Sequence, residues 1–153
     1  MKHSAVSQIL FSETYTVPAE QTSQRMLAVL RDGGSYSDGL LNAMSNGYLI
    51  AVLESICARE LQKYVDDDNE LVLAADVRWQ RRAPVAVGAL ITVDGWVRVI
   101  DGNEATFFVR ASDEQEVVCE GEICFYVEQL EQLERKIQRK REAIERRELF
   151  AAA

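Results

Sequence analysis

The stretch SNGYLIAVLES (45–55) carries an unbroken apolar run, Tyr48 to Leu53, that ends on a carboxylate, Glu54. Burying an unpaired charge is costly. Glu54 is therefore a solvent-facing helix residue, an ion-pair partner of Arg59 or Arg78, or an acid held partly buried in a cleft. Partial burial lets a carboxylate act near neutral pH as a general base toward water, and a carboxylate can also be a nucleophile. The head of the same segment offers the complementary chemistry. Ser45 or Asn46 can cap the helix, since both side chains accept a hydrogen bond from a first-turn N–H. Free first-turn N–H groups and the positive end of the macrodipole are suited to a developing oxyanion. Gly47 either packs tightly against a neighbour or lets a carbonyl come close to that backbone.

Few other residues compete for a catalytic role. His3 is the single histidine and sits at a terminus expected to fray, which argues against Ser-His-Asp or Cys-His catalysis and against a histidine-based metal site. Cys57, Cys119 and Cys124 form no CxxC pair, and Cys119 and Cys124 read as packing residues of a strand. No metal or resident cofactor is expected. Arg81 shares a strand face with Val77 and Trp79 by alternation. It either emerges into water at the strand's end or points into a cleft, where it could grip a carboxylate or phosphate in bidentate fashion.

These residues need elements to position them. ILFSETYTV (9–17) alternates as a first strand, QRMLAVL (24–30) is a short helical piece, and RDGGSYSDG (31–39) is turn chemistry. The main helix follows from Ser45 or Asn46 to about Val65; its front half is apolar on all sides, as in a helix that water does not reach. From residue 70 the period becomes two, giving strands over 70–83, 89–100, 104–111 and 116–127, with a bulge expected at Gly95 and a hairpin turn at Asp101-Gly102-Asn103. From Glu128 a charged helix sets Leu130, Leu133, Ile137 and Ile144 on a 3-4 spacing that Lys140 interrupts. That stripe docks on the body or on a partner chain; alternatively Arg135, Lys136, Arg139 and Lys140 help to bind a phosphorylated ligand.

The charge is uneven: 10 Lys and Arg stand against 22 Asp and Glu through residue 134, and 7 against 3 after it. An acidic body repels nucleic acid, and no apolar run reaches the roughly 20 residues of a membrane span. Nucleic acid and membrane are excluded as partners, and without a signal-peptide pattern the expected compartment is the cytoplasm.

One strand, a buried central helix and a long curled antiparallel sheet resemble, over about residues 8–127, the α+β hotdog fold of acyl-CoA thioesterases and dehydratases. The sheet would wrap the helix. The boundaries implied are a hotdog domain over 1–127 and a charged helical extension over 128–153. SNGYLIAVLES looks like the helix start of these enzymes, where a polar cap is followed eight residues later by a carboxylate. In the fluoroacetyl-CoA thioesterase branch the cap is a threonine and the acid is catalytic; Ser45 takes the threonine's place and Asn46 stands where proline is usual. In the 4-hydroxybenzoyl-CoA branch the spacing matches Asn46 and Glu54. ADVRWQRRAPVAVG (75–88) is similar to the strand in which the fluoroacetyl-CoA branch carries a histidine before an Ala-Pro segment and a Gly; Arg81 holds that position. The same segment is similar to the effector domain of malonyl-CoA-sensing repressors, whose DNA-binding domain has no counterpart here.

The resemblance implies catalytic roles for Glu54, Ser45 and Asn46, with Gly47, Arg81 and Asp38 at the substrate. Asp38 lies in the loop before the helix, like a catalytic aspartate of the 4-hydroxybenzoyl-CoA branch, but its spacing to Asn46 fits only with a shift, so it is also read as a turn residue. It further implies a homodimer, with a tetramer as an option, whose clefts bind an acyl-CoA or acyl-ACP, with CoA present only as part of the substrate. Hydrolysis is the leading reading. A non-catalytic acyl-CoA sensor or subunit is the alternative, favoured by Arg81, which cannot serve as a base. A dehydratase, which uses a histidine with an acid, is disfavoured by the lone His3.

Overall fold

The computed structural model describes residues 3–30, 42–65 and 68–151. In chain order the elements are α1 (His3–Val6), β1 (Leu10–Thr16), α2 (Ser23–Leu30), α3 (Asn46–Gln62), β2 (Glu70–Arg81), β3 (Leu90–Asp101), β4 (Glu104–Ser112), β5 (Val117–Gln129) and α4 (Leu130–Ala151). The strands form one antiparallel sheet in the order β1-β3-β4-β5-β2. Turn chemistry links β3, β4 and β5. Gly102, at φ 58°, follows Asp101 in the turn that Asp101 and Glu104 close. In the next turn Asp113 Oδ1 accepts from the N–H groups of Gln115 and Glu116. β2 does not pair with its chain neighbour β3 but crosses to the far edge and pairs with β5.

Alternation builds the core. Ala105, Phe107, Val109 and Ala111 of β4 are fully buried, and the Phe107 ring meets Phe125 of β5 edge-on at 5.8 Å. Onto this face α3 lays Leu49, Leu53, Ile56, Cys57 and Leu61. Each large apolar side chain so buried is worth about 1.5–3 kcal/mol, against about 1 for a helix cap, so packing rather than capping holds α3 in place.

Several details depart from the sequence reading. The front half of α3 is not covered all round: Ala51 is exposed, and Ile50 and Val52 are partly so. Gly95 is not a bulge but pairs regularly with Val109; a Cβ there would lie 2.3 Å from the Phe11 ring. The β3 bulge falls instead between Val97 and Val99. A second bulge, between Ala74 and Asp76, rephases β2 so that Val77 and Trp79 pack against the core while Arg78 and Gln80 face out. Cys124 is half-exposed rather than core. The N-terminal segment is held by the fully buried Val6.

At the other end, the Leu130 N–H donates to Asn69 O at 2.7 Å as α4 begins. Arg135 pairs with Glu131 at 2.5 Å and Lys136 with Glu128. Ile137 and Ile144 are 44% and 49% exposed. Among the described residues no helix is long and apolar enough to cross a membrane.

Candidate functional site

Ser45 caps α3. It is extended at φ −69° and ψ 151°, is buried, and its Oγ accepts the Tyr48 N–H at 3.1 Å. Its own N–H donates to Gln21 O at 3.2 Å. Asn46 is therefore the exposed first helical residue rather than the cap. Among the described residues nothing accepts from the N–H groups of Asn46 and Gly47, so two donors stand open at the positive end of α3. A Cβ on Gly47 would lie 2.9 Å from Met26 Cε, so the tip of a flexible side chain from α2 occupies the space beside it.

Two rows of residues flank the buried stripe of α3 on opposite sides. On one flank Val52, Ile56 and Arg59 line a groove shared with Glu13 and Tyr15 of β1, and Arg59 ion-pairs with Glu13. The other flank carries Glu54, Ala58 and Gln62, of which Gln62 reaches β2. Gln62 accepts from Val72 N–H at 3.1 Å and donates to Glu70 O at 2.9 Å. At the opposite end of β2, Arg81 Nη2 donates to Met44 O at 3.1 Å and Nε to Ala83 O at 3.2 Å. β2 thus runs antiparallel to α3, tied at both ends, with Glu54 between the ties.

Glu54 is partly buried and, among the described residues, makes no hydrogen bond or ion pair. Neither arginine considered as its partner reaches it: Arg59 takes Glu13, and Arg78 takes Asp76 at 3.1 Å. From Asn46 to Glu54 the helix rises about 12 Å, a gap shortened by the lean of helical side chains toward the N-terminus. Asn46, Ile50 and Glu54 lie on one i, i+4 ridge of the helix. Beyond it, the outer edge of β2 is unpaired among the described residues.

Arg81 lies on the core-facing side, partly buried, and burial lowers its pKa. No carboxylate partners it among the described residues. Its contact with Met44 O fastens the residue that precedes the cap, a positioning contact that spacing alone did not reveal. Trp79 on the same face has a buried indole N–H without a partner among the described residues. Asp38 lies outside the described residues. Burial pushes the thiols of Cys57 and Cys119 up to about 12, which leaves both protonated and non-nucleophilic. Among the described residues no group of three or more His, Cys, Asp or Glu could hold a metal ion.

No curated protein matches the chain. Solved structures do. The fluoroacetyl-CoA thioesterase FlK is similar with a TM-score of 0.77 and 20% identity, over 86% of this chain and 94% of that one. A hot-dog-like protein from Thermanaerovibrio acidaminovorans gives 0.75 and 16%, over 92% and 97%. A thioesterase superfamily member from Thermus thermophilus gives 0.72 and 14%, over 90% and 93%. These likenesses establish the hotdog fold: a curled five-stranded antiparallel sheet around a central helix. The family described as FlK, fluoroacetyl-CoA-specific thioesterase, matches residues 25–128. By that match the chain belongs to the FlK thioesterase family.

Proposed function

We propose that this protein hydrolyses an acyl thioester, carried on CoA or acyl carrier protein, in a cleft that a second subunit completes along the open edge of β2. The carrying observation is Glu54: partly buried, free of any ion pair among the described residues, and on the ridge that leads from two open first-turn N–H groups. The thioester carbonyl accepts from the N–H groups of Asn46 and Gly47. Water adds to the carbonyl carbon as Glu54 takes its proton, and the oxyanion is stabilised by those N–H groups and the helix dipole. The intermediate collapses, the C–S bond breaks, and the thiolate takes up a proton, leaving the free acid and the thiol. A Glu54 carboxylate that attacks the carbonyl directly is the nucleophilic variant of the same step.

Ser45 fixes the helix end and Arg81 fixes the residue before it. The donors that Arg81 keeps free suit the carboxylate of an acidic acyl group or the phosphates of CoA, and Asp38 is carried as a substrate-side carboxylate. The apolar residues of α3 left open, Ile50 to Val52, support coverage by substrate or a second copy. Three free cysteines fit a reducing compartment, the cytoplasm. A second reading, a non-catalytic acyl-CoA sensor or subunit, is favoured by Arg81 at the position where the branch resembled carries a histidine. The test is a panel of acyl-CoAs followed for thiol release: turnover abolished in Glu54→Gln supports hydrolysis, whereas tight binding without thiol release supports the sensor.

A further inference from the structure

Among the described residues, helix α4 carries an apolar stripe that is left largely uncovered. Leu133, Ile137 and Ile144 recur at 3-4 spacing, Lys140 occupies one position of the stripe, and Ile137 and Ile144 are 44% and 49% exposed. The charges that flank the stripe, Glu134 and Arg141, make no ion pair among the described residues, although Arg135 and Lys136 on the same helix are paired.

We propose that α4 pairs antiparallel with α4 of a second copy of this chain. The charges choose the direction. In a parallel pair Lys140 meets Lys140 of the second copy in the seam, and Lys136 flanks its Arg141, both repulsive. In an antiparallel pair with Ile137 opposite Lys140, Leu133 meets Ile144 at both ends, and each Glu134 comes level with Ala143 of the second copy, within a turn of both its Lys140 and its Arg141. The lysine in the stripe then sets register, at some cost in affinity. Glu134 and Arg141, unpaired in one chain, become reciprocal partners in two. This contact is distinct from the β2 edge and does not depend on the reading of Glu54. Where both contacts form, the assembly is a dimer of dimers.

The test is light-scattering mass of the full chain at low ionic strength, with circular dichroism to verify the fold; the residues changed are all exposed. Ile137→Lys/Ile144→Lys is expected to lower the mass about twofold relative to the unaltered chain. Arg141→Glu is expected to do the same by setting Glu134 against it, and Glu134→Arg/Arg141→Glu to restore the original mass. The proposal is overturned if the unaltered chain is a monomer, if Ile137→Lys/Ile144→Lys leaves the mass unchanged, or if Arg141→Glu leaves association as tight or tightens it. Tightening is the outcome that parallel pairing requires, because Lys136 then gains a carboxylate.

Discussion

Replacing Glu54 with glutamine separates chemistry from architecture, because the two respond in opposite directions. The side chain has no ion pair or hydrogen bond to lose among the described residues, and glutamine preserves its shape. What remains is relief from holding a charge in a partly buried position, worth a few tenths to about 1 kcal/mol in favour of the variant. For a chain of 153 residues that raises Tm by no more than about 4 °C. Activity moves the other way. Loss of a general base costs about 10²–10⁴ in rate, or about 2.7–5.5 kcal/mol of transition-state stabilisation at 1.36 per decade. Thiol release read with a chromogenic disulfide, beside a thermal melt of the same preparations, measures both. The loss belongs in kcat, with KM little changed. Full activity in Glu54→Gln would mean that a different acid does the work, and a Tm several degrees lower would mean that Glu54 is structural.

Ser45→Ala removes a buried cap and should cost about 1 kcal/mol, a fall of about 2–4 °C in Tm, while Ser45→Thr keeps the cap and most of the stability; an unchanged melt for Ser45→Ala would leave the Tyr48 contact without energetic weight. Gly121→Ala sets a Cβ 2.1 Å from the Arg78 carbonyl oxygen, so β2 must move off β5 at a cost of at least about 1–3 kcal/mol; normal expression and melting would contradict that packing. In the native protein a thiol reagent at pH 8 should label Cys124 alone and all three cysteines after denaturation. Because Cys57 and Cys119 are raised from 9.0 to about 12 when folded, their contribution to stability is complete below pH 9 and declines from pH 9 toward 12 as the unfolded chain ionises first; a melt that is flat over that window would refute it. Arg81→Ala should weaken acidic acyl-CoAs more than neutral ones, and equal losses would leave Arg81 as a phosphate contact or as a fastening for Met44 and Ala83 alone.

Period and capping made most of the fold legible. The switch near residue 70 from helical to alternating spacing, the Ser45 cap and the Gly102 turn each announce themselves locally, and the observed strands match within a few residues. Pairing across the sheet did not, because nothing local says that β2 crosses to β5. Bulges were illegible for a related reason: Gly95 looked like one because it lacks a side chain, whereas the cause is the Phe11 ring above it. The candidate site divided in the same way. Glu54 is visible as an acid closing an apolar run. The ion pairs that leave it unpaired, Arg59 with Glu13 and Arg78 with Asp76, depend on which strands become neighbours.

The bulge at Ala75 has a consequence for how much the strand tolerates a change in length. The pleat of β2 is out of phase on either side of it, so the half beside Gln62 and the half ending at Arg81 each keep their own inward face. Deleting that single unpaired residue would join Ala74 to Asp76, which already stand opposite the consecutive Phe125 and Cys124, so the ladder would close regularly with Val77, Trp79 and Arg81 still facing inward. The strand thus holds one residue of slack, and the fastening of Arg81 on Met44 would survive its loss.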